Sequence, residues 1–450
     1  MTAAVRRAGA FALLCTLALA VPVGGPWVGA AIAATVILGA FAVTDGPLFD
    51  LLAYPGDYED GRLYGLITFV LAAVTLGLIS ITTSMSVVIF VATVLLIGYG
   101  NVAEQLTRRR TDHTIVPVAV FCLVSTGGSV AGQAVTYALT AESGVQETIG
   151  SSAPTMVFLG ASGALLASLL RDIFLARDDP IVMLSVGLLG WLLAELEPAL
   201  SLTVGEIALA LAITAALGYA SYALKTASIA GMLTGVLLGL LTIVLGGYGW
   251  FVVLISFFAI GGLSSKFRYE EKAEMGVAEA NDGARGSGNV LGNAAVAIIA
   301  VLGYAASSAS LVPGDPEPTL FLFAFAGSVA TAMSDTLSSE IGSVFETPRL
   351  ITTLEPVEPG TDGGVTWQGE VAGIAGAVVV AGISYLLFPE VTVVGAVIIV
   401  TAGIVGMTVD SLLGATLEGT VLGNQGVNFL ATLSGAIICA LLVVSFAVFG

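Results

Sequence analysis

Residues 334–364 read SDTLSSEIGSVFETPRLITTLEPVEPGTDGG, and they begin inside an apolar run and continue into the longest polar loop of the chain. The first carboxylate of this segment, Asp335, stands at the edge of the apolar run. A charged side chain at the centre of a membrane costs about 2.5–3.5 kcal/mol on insertion scales, so an Asp in such a run indicates a functional site. The rest of the chain is therefore interpreted as a membrane scaffold around this segment.

The composition excludes a soluble globular protein. Hydrophobic residues make up 57% and charged residues 10% of the 450 residues, and the mean hydropathy is +1.01, so there is too little polar surface to cover a water-soluble fold. The apolar residues form continuous runs close to the roughly 20 residues that span a bilayer as a helix, without the alternation of barrel strands. The sequence predicts an all-α, polytopic integral membrane protein that crosses the cell membrane many times.

About fifteen apolar runs are long enough to be transmembrane helices. We expect these helices at residues 8–23, 27–43, 63–80, 83–99, 115–140, 154–175, 180–196, 203–224, 227–246, 248–264, 290–311, 319–335, 371–388, 391–413 and 427–449.

The distribution of positive charge predicts the orientation of these helices, because Lys and Arg beside transmembrane helices are retained in the cytoplasm. If the amino terminus is cytoplasmic, all 14 Lys and Arg residues, from Arg6 to Arg349, fall on that side. An odd number of helices then places the carboxyl terminus outside. Three polar segments, 266–289, 335–370 and 410–426, are expected as loops at the cytoplasmic face.

The charge balance excludes nucleic acid as a partner. The chain has 32 acidic and 14 basic residues and a formal net charge of −18, whereas nucleic-acid binding depends on neutralising phosphates with Lys and Arg. Such an acidic set of loops is tolerated where high salt screens the charges, as in a halophilic organism. The three cysteines lie within apolar runs and lack metal-ligand spacing, so we expect neither zinc nor a disulfide.

The first polar segment concentrates basic residues, and two interpretations remain open for it. Lys266 and Arg285 belong either to a solvated loop or to a clamp for phosphate, to which arginine is suited because it makes paired hydrogen bonds. Asn293 follows in the next expected helix, one turn after Asn289.

The second and third segments supply oxygen ligands. Asp335 and Ser339 share a helix face because they are four residues apart, and Glu340 lies on the adjoining face. A second Asp, Asp410, lies about one turn inside the same end of its helix. One or two carboxylates, completed by hydroxyl or phosphate oxygens, are how Mg²⁺ is usually held. The alternative is that each Asp caps a helix or bonds a neighbouring helix.

A glycine-rich loop follows the carboxylates. Its backbone N–H groups, from Gly360, Thr361, Asp362, Gly363 and Gly364, can form a nest for an anion, although a tight turn gives the same pattern. The chain contains no GxxxxGK[ST] motif, which excludes a Walker-type nucleotide site.

The motifs together resemble one known family. SDTLSSEIGSVF, then VEPGTDGGVTWQGEVAGIAGA, then GMTVDSLLGATLEG, with SKFR and RGSGNVLGN upstream, are similar to the pattern of the transmembrane protein 19 family, also called domain of unknown function family 92. The similarity covers residues 203–450, so residues 201–450 are expected to form a catalytic membrane domain, and residues 1–200 helices of unassigned role. One departure is Glu418, where relatives tend to have Gln.

The resemblance implies a function, since the family includes the plant phytyl-phosphate kinase and is more distantly similar to CTP-dependent polyprenol kinases. It implies transfer of a phosphoryl group from CTP or ATP to an isoprenyl monophosphate, with Mg²⁺ near the catalytic Asp335, Glu340 and Asp410. Arg285 would be catalytic as well. The residues expected to bind substrate or phosphate are Lys266, Asn293, Ser339, Gly360, Thr361, Gly363 and Gly364. Thr336, Gly342 and Ser411 also match the pattern.

A transporter or channel is the alternative function. Asp335 and Asp410 would then bind a coupling cation or a substrate inside the membrane. Such proteins often contain inverted repeats, and the acidic residues here cluster instead in the second half of the chain. The expected partners are a membrane lipid or isoprenoid substrate and a nucleotide, and the oligomeric state stays open.

Overall fold

The computed structural model describes residues 3–141, 144–174, 178–196, 202–276, 286–314, 317–345 and 347–449. The chain divides into two compact units, Met1–Leu209 and Ala210–Gly450. Both are helical, as the sequence predicts.

The first unit consists of long apolar helices joined by short connections. Its helices are α1 (Ala3–Thr16), a 3₁₀ helix (Leu17–Ala20), α2 (Val21–Ala42), α3 (Gly46–Leu52), α4 (Asp57–Asp60), α5 (Tyr64–Thr82), α6 (Val87–Arg108), α7 (Ile115–Thr140), α8 (Val145–Ile173) and α9 (Asp179–Glu195). The helical path is broken at Gly25, which has φ 73° and precedes Pro26. Glycine adopts this left-handed conformation without a steric penalty.

A buried ionic cluster joins the ends of three helices in the first unit. The guanidinium of Arg171 in α8 pairs with Asp179 in α9 and with Glu104 in α6. It also donates a hydrogen bond of 2.9 Å to Oδ1 of Asn101. Buried charges are tolerated only when they are paired in this way, so the cluster fixes the ends of these helices.

The second unit contains the remaining long helices and a small hairpin, and α10 contains the boundary between the units. Its elements are α10 (Val204–Ala223), α11 (Ile229–Gly246), α12 (Tyr248–Ser264), α13 (Tyr269–Glu274), α14 (Ser287–Ser308), α15 (Pro318–Gly342), β1 (Arg349–Leu350), β2 (Gly364–Val365), α16 (Trp367–Leu387), α17 (Val393–Leu417) and α18 (Asn424–Phe449). The two strands pair antiparallel, with Arg349 opposite Val365.

Each expected transmembrane segment overlaps helical structure, but the boundaries differ, and residues 8–23 cover the end of α1, the 3₁₀ helix and the start of α2. Residues 336–342 and 414–417 were expected beyond the ends of their helices, in loops, and this was wrong, because α15 continues to Gly342 and α17 to Leu417. Residues 287–289, also expected in a loop, form the first turn of α14. Polar residues extend these helices beyond the apolar runs because packing, rather than hydropathy alone, stabilises a helix.

Twelve helices within the described residues are long and apolar enough to cross a membrane. Residues 3–42 count as one of these, and α12 is an apolar helix too short to be included. The protein is therefore a multi-pass membrane protein, while the count of about fifteen and the sides of the two termini stay predictions.

Candidate functional site

The central helix of the second unit is α15, which packs against α12, α14, α16, α17 and α18. Neighbouring helices approach it closely where they carry glycine. A Cβ atom at Gly373 of α16 would lie 2.8 Å from the carbonyl oxygen of Ser334, and one at Gly435 of α18 would lie 3.0 Å from that of Gly327. Small residues let helix backbones approach in a membrane. These crossings gather the neighbouring helices around α15.

A cavity of about 350 Å³ lies at one end of this unit. It is formed where α15 and α17 end and where α14 and α18 begin, and the segment 343–366 completes its wall. Five carboxylates line it, and none of the described residues lining it is Lys, Arg or His. The carboxylates belong to Asp335, Glu340, Asp362, Asp410 and Glu418. The cavity is therefore suited to cations or to anions that carry a cation with them.

Two aspartates from different helices meet in the cavity. Asp335 of α15 and Asp410 of α17 each lie about two turns before the end of their helix, and their carboxyl groups approach within hydrogen-bonding range. Oδ1 of Asp410 is buried and has no hydrogen-bond partner among the described residues. A buried acceptor without a partner costs free energy, so this oxygen is suited to a ligand that the protein does not itself supply.

Glu340, the third predicted carboxylate, has a different partner. It lines the cavity, but its Oε2 lies 2.5 Å from Nζ of Lys272 in α13. Among the described residues, no group of three or more His, Cys, Asp or Glu side chains could hold a metal ion. The arrangement therefore brings two carboxylates together, with Glu340 in an ion pair beside them.

The glycine-rich loop forms part of the cavity wall. Gly363, with φ 74°, packs so tightly on α17 that a Cβ atom there would lie 2.6 Å from the carbonyl oxygen of Ser411. Within the loop, the N–H of Thr361 donates to Glu358, and the N–H of Gly364 donates to the carbonyl oxygen of Thr361. Two of the five amides expected to bind an anion are thus used inside the turn.

The start of α16 anchors the other side of this loop. The Thr366 side chain accepts a hydrogen bond of 3.2 Å from the N–H of Gly369, a standard N-cap. Gly342, the last residue of α15, lies against this cap, and a Cβ atom there would lie 2.8 Å from Oγ1 of Thr366. The loop 343–366 therefore has fixed ends on both α15 and α16.

Glu418 follows α17 at the rim of the cavity. Partial burial and the nearby charge of Asp362 raise the pKa of the Glu418 carboxyl above its usual range, while a hydrogen bond from Asn424 acts in the opposite direction. Like charges close together favour protonation. At the rim, the hydrogen bond from Asn424 therefore does not fully offset the effects of burial and of the Asp362 charge on Glu418.

The comparisons with known proteins identify the second unit. The model of the family described as Integral membrane protein DUF92 matches residues 212–436, half of the chain. The chain is also 35% identical over 218 residues to an uncharacterised membrane protein of Methanocaldococcus jannaschii, covering 47% of this chain and 84% of that protein. The chain belongs to the DUF92 family.

Two other relatives match a similar share of this chain. An uncharacterised membrane protein of Synechocystis is 32% identical over 203 residues, covering 44% of this chain and 75% of that protein. The protein VTE6, chloroplastic, of Arabidopsis thaliana is 31% identical over 220 residues, covering 48% of this chain and 65% of that protein. No solved structure matches. All residues that line the cavity lie inside the matched DUF92 region.

The DUF92 cavity contains all but one of the predicted site residues that the structure describes. Those that line it are Asn293, Asp335, Ser339, Glu340, Gly360, Thr361, Gly363, Gly364 and Asp410. Lys266 does not line it, and its Nζ lies 5.6 Å from the ring centroid of Tyr269. Arg285 lies outside the described residues. The Oγ of Ser339 donates to the carbonyl oxygen of Asp335 at 2.9 Å, so this hydroxyl bonds its own helix.

Sequence reasoning missed three further residues of the DUF92 site. Asn424 and Asn428 of α18 line the cavity, and Lys272 holds Glu340. The two asparagines share a helix face because they are four residues apart, which repeats the spacing of Asn289 and Asn293. This repeated Asn-x-x-x-Asn pattern is visible in the sequence and could have indicated that Asn424 and Asn428 belong to the site.

Proposed function

We propose that this cavity is the active site of a lipid-phosphate kinase, which transfers the terminal phosphoryl group of CTP or ATP to an isoprenyl monophosphate. The observation that carries the proposal is the meeting of Asp335 and Asp410, where one buried Asp410 oxygen has no hydrogen-bond partner among the described residues. Similarity to VTE6 supports it, as does the motif resemblance to a family that includes the plant phytyl-phosphate kinase.

The two aspartates fit a divalent cation. Mg²⁺ is usually held by one or two carboxylates together with water and substrate phosphates, rather than by a cage of protein ligands. Oδ1 of Asp410, which has no hydrogen-bond partner among the described residues, is suited to be such a ligand, and Asp335 would supply the second carboxylate. Bound there, Mg²⁺ supplies neutralisation of the charge on the phosphates.

The protein contributes to this reaction mainly by positioning the reactants and stabilising their charge. An oxygen of the acceptor monophosphate forms a bond to the terminal phosphorus of the donor, and the bond from that phosphorus to the bridging oxygen breaks. A nucleoside diphosphate leaves, and the acceptor becomes a diphosphate. Because the acceptor is already an anion, no strong base is needed, and alignment of the reactants lowers the barrier. The fixed loop 343–366 and the ends of α15 and α17 provide that alignment.

The place of the cavity in the fold suits an acceptor that is a membrane lipid. It lies at the end of helices that are long and apolar enough to cross a membrane. A lipid can thus keep its isoprenoid chain in hydrocarbon while its phosphate reaches Asp335 and Asp410. Gly360 and Thr361 of the cavity lining are exposed, and a nucleotide would enter beside them.

The test is a phosphoryl-transfer assay on the purified full-length protein in detergent and high salt. The reaction contains Mg²⁺, CTP or ATP, and geranylgeranyl or phytyl monophosphate, and mass spectrometry detects the diphosphate. We expect product from the wild type and none from Asp335→Asn, with both proteins folded. Activity retained in Asp335→Asn would contradict the role given to this residue.

Failure of every donor and acceptor pair with folded protein would contradict the kinase function. The transporter alternative then becomes testable by flux into proteoliposomes without nucleotide. Cation or substrate flux that disappears in Asp335→Asn would establish that alternative.

A further inference from the structure

Four asparagines form one side of the cavity, which we name the amide side. Asn289 and Asn293 come from the start of α14, and Asn424 and Asn428 come from the start of α18. All four line the cavity. Of the four, only Asn293 is expected from the family resemblance to bind substrate or phosphate, and the proposed function gives the other three no role. Asparagine and serine, with four residues each, are the most frequent uncharged polar types in the cavity lining.

The amide side is a continuous surface, because α14 and α18 contact each other there. Nε2 of Gln425 lies 3.5 Å from Oδ1 of Asn289. The backbones are also close, since a Cβ atom at Gly292 would lie 3.1 Å from the carbonyl oxygen of Gln425. Side chains from the two helices can therefore act on one ligand group together.

The hydrogen bonds of the amide side leave donors for a ligand. Nδ2 of Asn293 donates to the carbonyl oxygen of Asn289 at 3.0 Å, and Nδ2 of Asn428 donates to Oδ1 of Asn424 at 3.3 Å. Each carboxamide nitrogen carries two N–H groups, so each of these bonds uses one of them. Asn293 is 8% exposed and Asn428 is 9% exposed. A donor at such a position gains most from an acceptor supplied by a ligand, because little water reaches it.

The side of the cavity formed by α15 and α17 carries negative charge. Asp335 and Asp410 lie where these two helices meet, while Glu418, which follows α17, is hydrogen-bonded to Asn424 at the edge of the amide side. A phosphate and a carboxylate 4 Å apart repel each other by about 4 kcal/mol at an effective dielectric constant of 20. A phosphate group that brings no cation is therefore excluded from this side and accepted on the amide side.

We infer that the amide side binds the phosphate monoester of the acceptor lipid, while the side with Asp335 and Asp410 takes the polyphosphate of the donor nucleotide. This inference rests on the proposed function and adds a division of the cavity to it. The acceptor oxygen that attacks the donor phosphorus is then held by neutral N–H donors of Asn293 and Asn428. The diphosphate product and the nucleoside diphosphate leave from the same two sides.

The test replaces one carboxamide of the amide side with a carboxylate of nearly the same size. We expect Asn293→Asp and Asn428→Asp each to raise the KM for the isoprenyl monophosphate at least tenfold, while the KM for the nucleotide stays within twofold of the wild-type value. Gln368→Glu is the matched control, because it makes the same chemical change in the first turn of α16, outside the cavity lining. It should change neither KM.

A third variant covers the case in which a buried charge prevents folding. Asn289 is only partly buried, and its Oδ1 accepts from Gln425, a role that an aspartate keeps. Asn289→Asp therefore adds the charge with less burial, and the same selective rise in the acceptor KM is expected. An acceptor KM that stays within twofold of wild type in the folded Asp variants, or a nucleotide KM that rises equally, would overturn the inference and leave the kinase function intact.

Binding measurements separate this inference from the proposed function. Geranylgeranyl monophosphate, geranylgeraniol and inorganic phosphate are titrated against the wild type and Asn293→Asp by calorimetry, without nucleotide. We expect the wild type to bind the monophosphate at least tenfold more tightly than the variant does, and the alcohol to bind both equally. If the wild type and the variant bind the monophosphate equally, the amide side does not bind the acceptor phosphate, whether or not the protein makes diphosphate. Inorganic phosphate competing as strongly as the lipid would refute a site for a lipid headgroup.

Discussion

Nζ of Lys272 lies 2.5 Å from Oε2 of Glu340, and this ion pair joins α13 to the end of α15. The Lys272 side chain is 2% exposed and that of Glu340 is 11% exposed. Nζ also donates to the carbonyl oxygens of Ser264 and Ser265 at the end of α12, at 3.5 and 3.1 Å. One lysine thus ties two long helices together beside the cavity.

Replacing this lysine should strongly destabilise the protein. In Lys272→Met the carboxylate of Glu340 is left in a largely buried place without its counter-charge, which in general costs about 3–5 kcal/mol. We expect a matching loss in the free energy of unfolding of the second unit, measured by denaturant titration in detergent.

Two further variants show whether the loss comes from the unpaired charge. Lys272→Met combined with Glu340→Gln should recover much of the stability, because no lone charge remains. Lys266→Met removes an exposed lysine from the same segment and should change stability by about 0.5 kcal/mol or less, as exposed substitutions usually do. A double variant no more stable than Lys272→Met would show that packing of the lysine chain, rather than its charge, is what matters.

A second prediction concerns the two aspartates. Asp410→Asn removes one of two adjacent carboxylates, so it relieves their repulsion when no cation is bound. We expect the variant to unfold a few degrees higher than the wild type without Mg²⁺, since about 1 kcal/mol moves Tm by about 2–4 °C in a domain of this size.

The same variant should lose its response to the metal. A ligand that binds only the folded state raises Tm, so Mg²⁺ should stabilise the wild type and leave Asp410→Asn unchanged in differential scanning fluorimetry. Asp362→Asn, which removes an exposed carboxylate at the rim, is the control and should keep the response. A variant that is less stable than the wild type and still responds to Mg²⁺ would contradict the assignment of this pair.

The sequence predicts the helices and the aspartates of the site for the same reason. The length of an apolar run that spans the bilayer is set by the thickness of the hydrocarbon core. A carboxylate inside such a run costs free energy, so it indicates a functional site. Asp335 and Asp410 can therefore be selected from their sequence positions alone, and the cavity brings them together.

The partners of these residues could not be selected from the sequence, because they depend on contacts between distant segments. Lys272 lies in a segment rich in charge, where a lysine is ordinarily solvated, and its burial follows only from the packing of α13 on α12 and α15. Asn424 stands at the start of a helix, where asparagine is common as a cap. Its place in the cavity follows from the meeting of α14 and α18.

A third prediction tests how the glycine-rich loop is held. Gly363 has φ 74°, and a Cβ atom there would lie 2.5 Å from Cβ of Ala415. Gly363→Ala therefore combines backbone strain with a clash, and we expect it to displace the loop from α17 and to abolish phosphoryl transfer. Limited proteolysis between residues 351 and 363 should become faster than in the wild type.

Gly419 supplies the control for this prediction. Its φ is 70°, but a Cβ atom there meets nothing within 4 Å. Gly419→Ala should therefore cost only the backbone strain of about 1–2 kcal/mol and leave the loop protected from protease. Equal cleavage of the two variants would show that strain alone, rather than contact with α17, determines the position of the loop.

The last prediction concerns pH and Glu418. Burial, and then the charge of Asp362, raise the pKa of this carboxyl in the folded protein. The folded state therefore binds this proton more tightly than the unfolded state does, and stability falls as the pH rises from the ordinary pKa of glutamate through the raised one. Below the ordinary pKa both states are protonated and the effect vanishes.

Glu418→Gln should remove this fall in stability. Above the ordinary pKa of glutamate, the Tm of the variant should therefore depend less on pH than the Tm of the wild type does. The effect should be small, since the side chain is only partly buried and solvent screens its charge. Glu355→Gln removes an exposed carboxylate from the hairpin and should leave the slope of the wild type unchanged. A steeper slope in Glu418→Gln would mean that the ionised carboxylate stabilises the rim, through its hydrogen bond with Asn424, by more than Asp362 destabilises it.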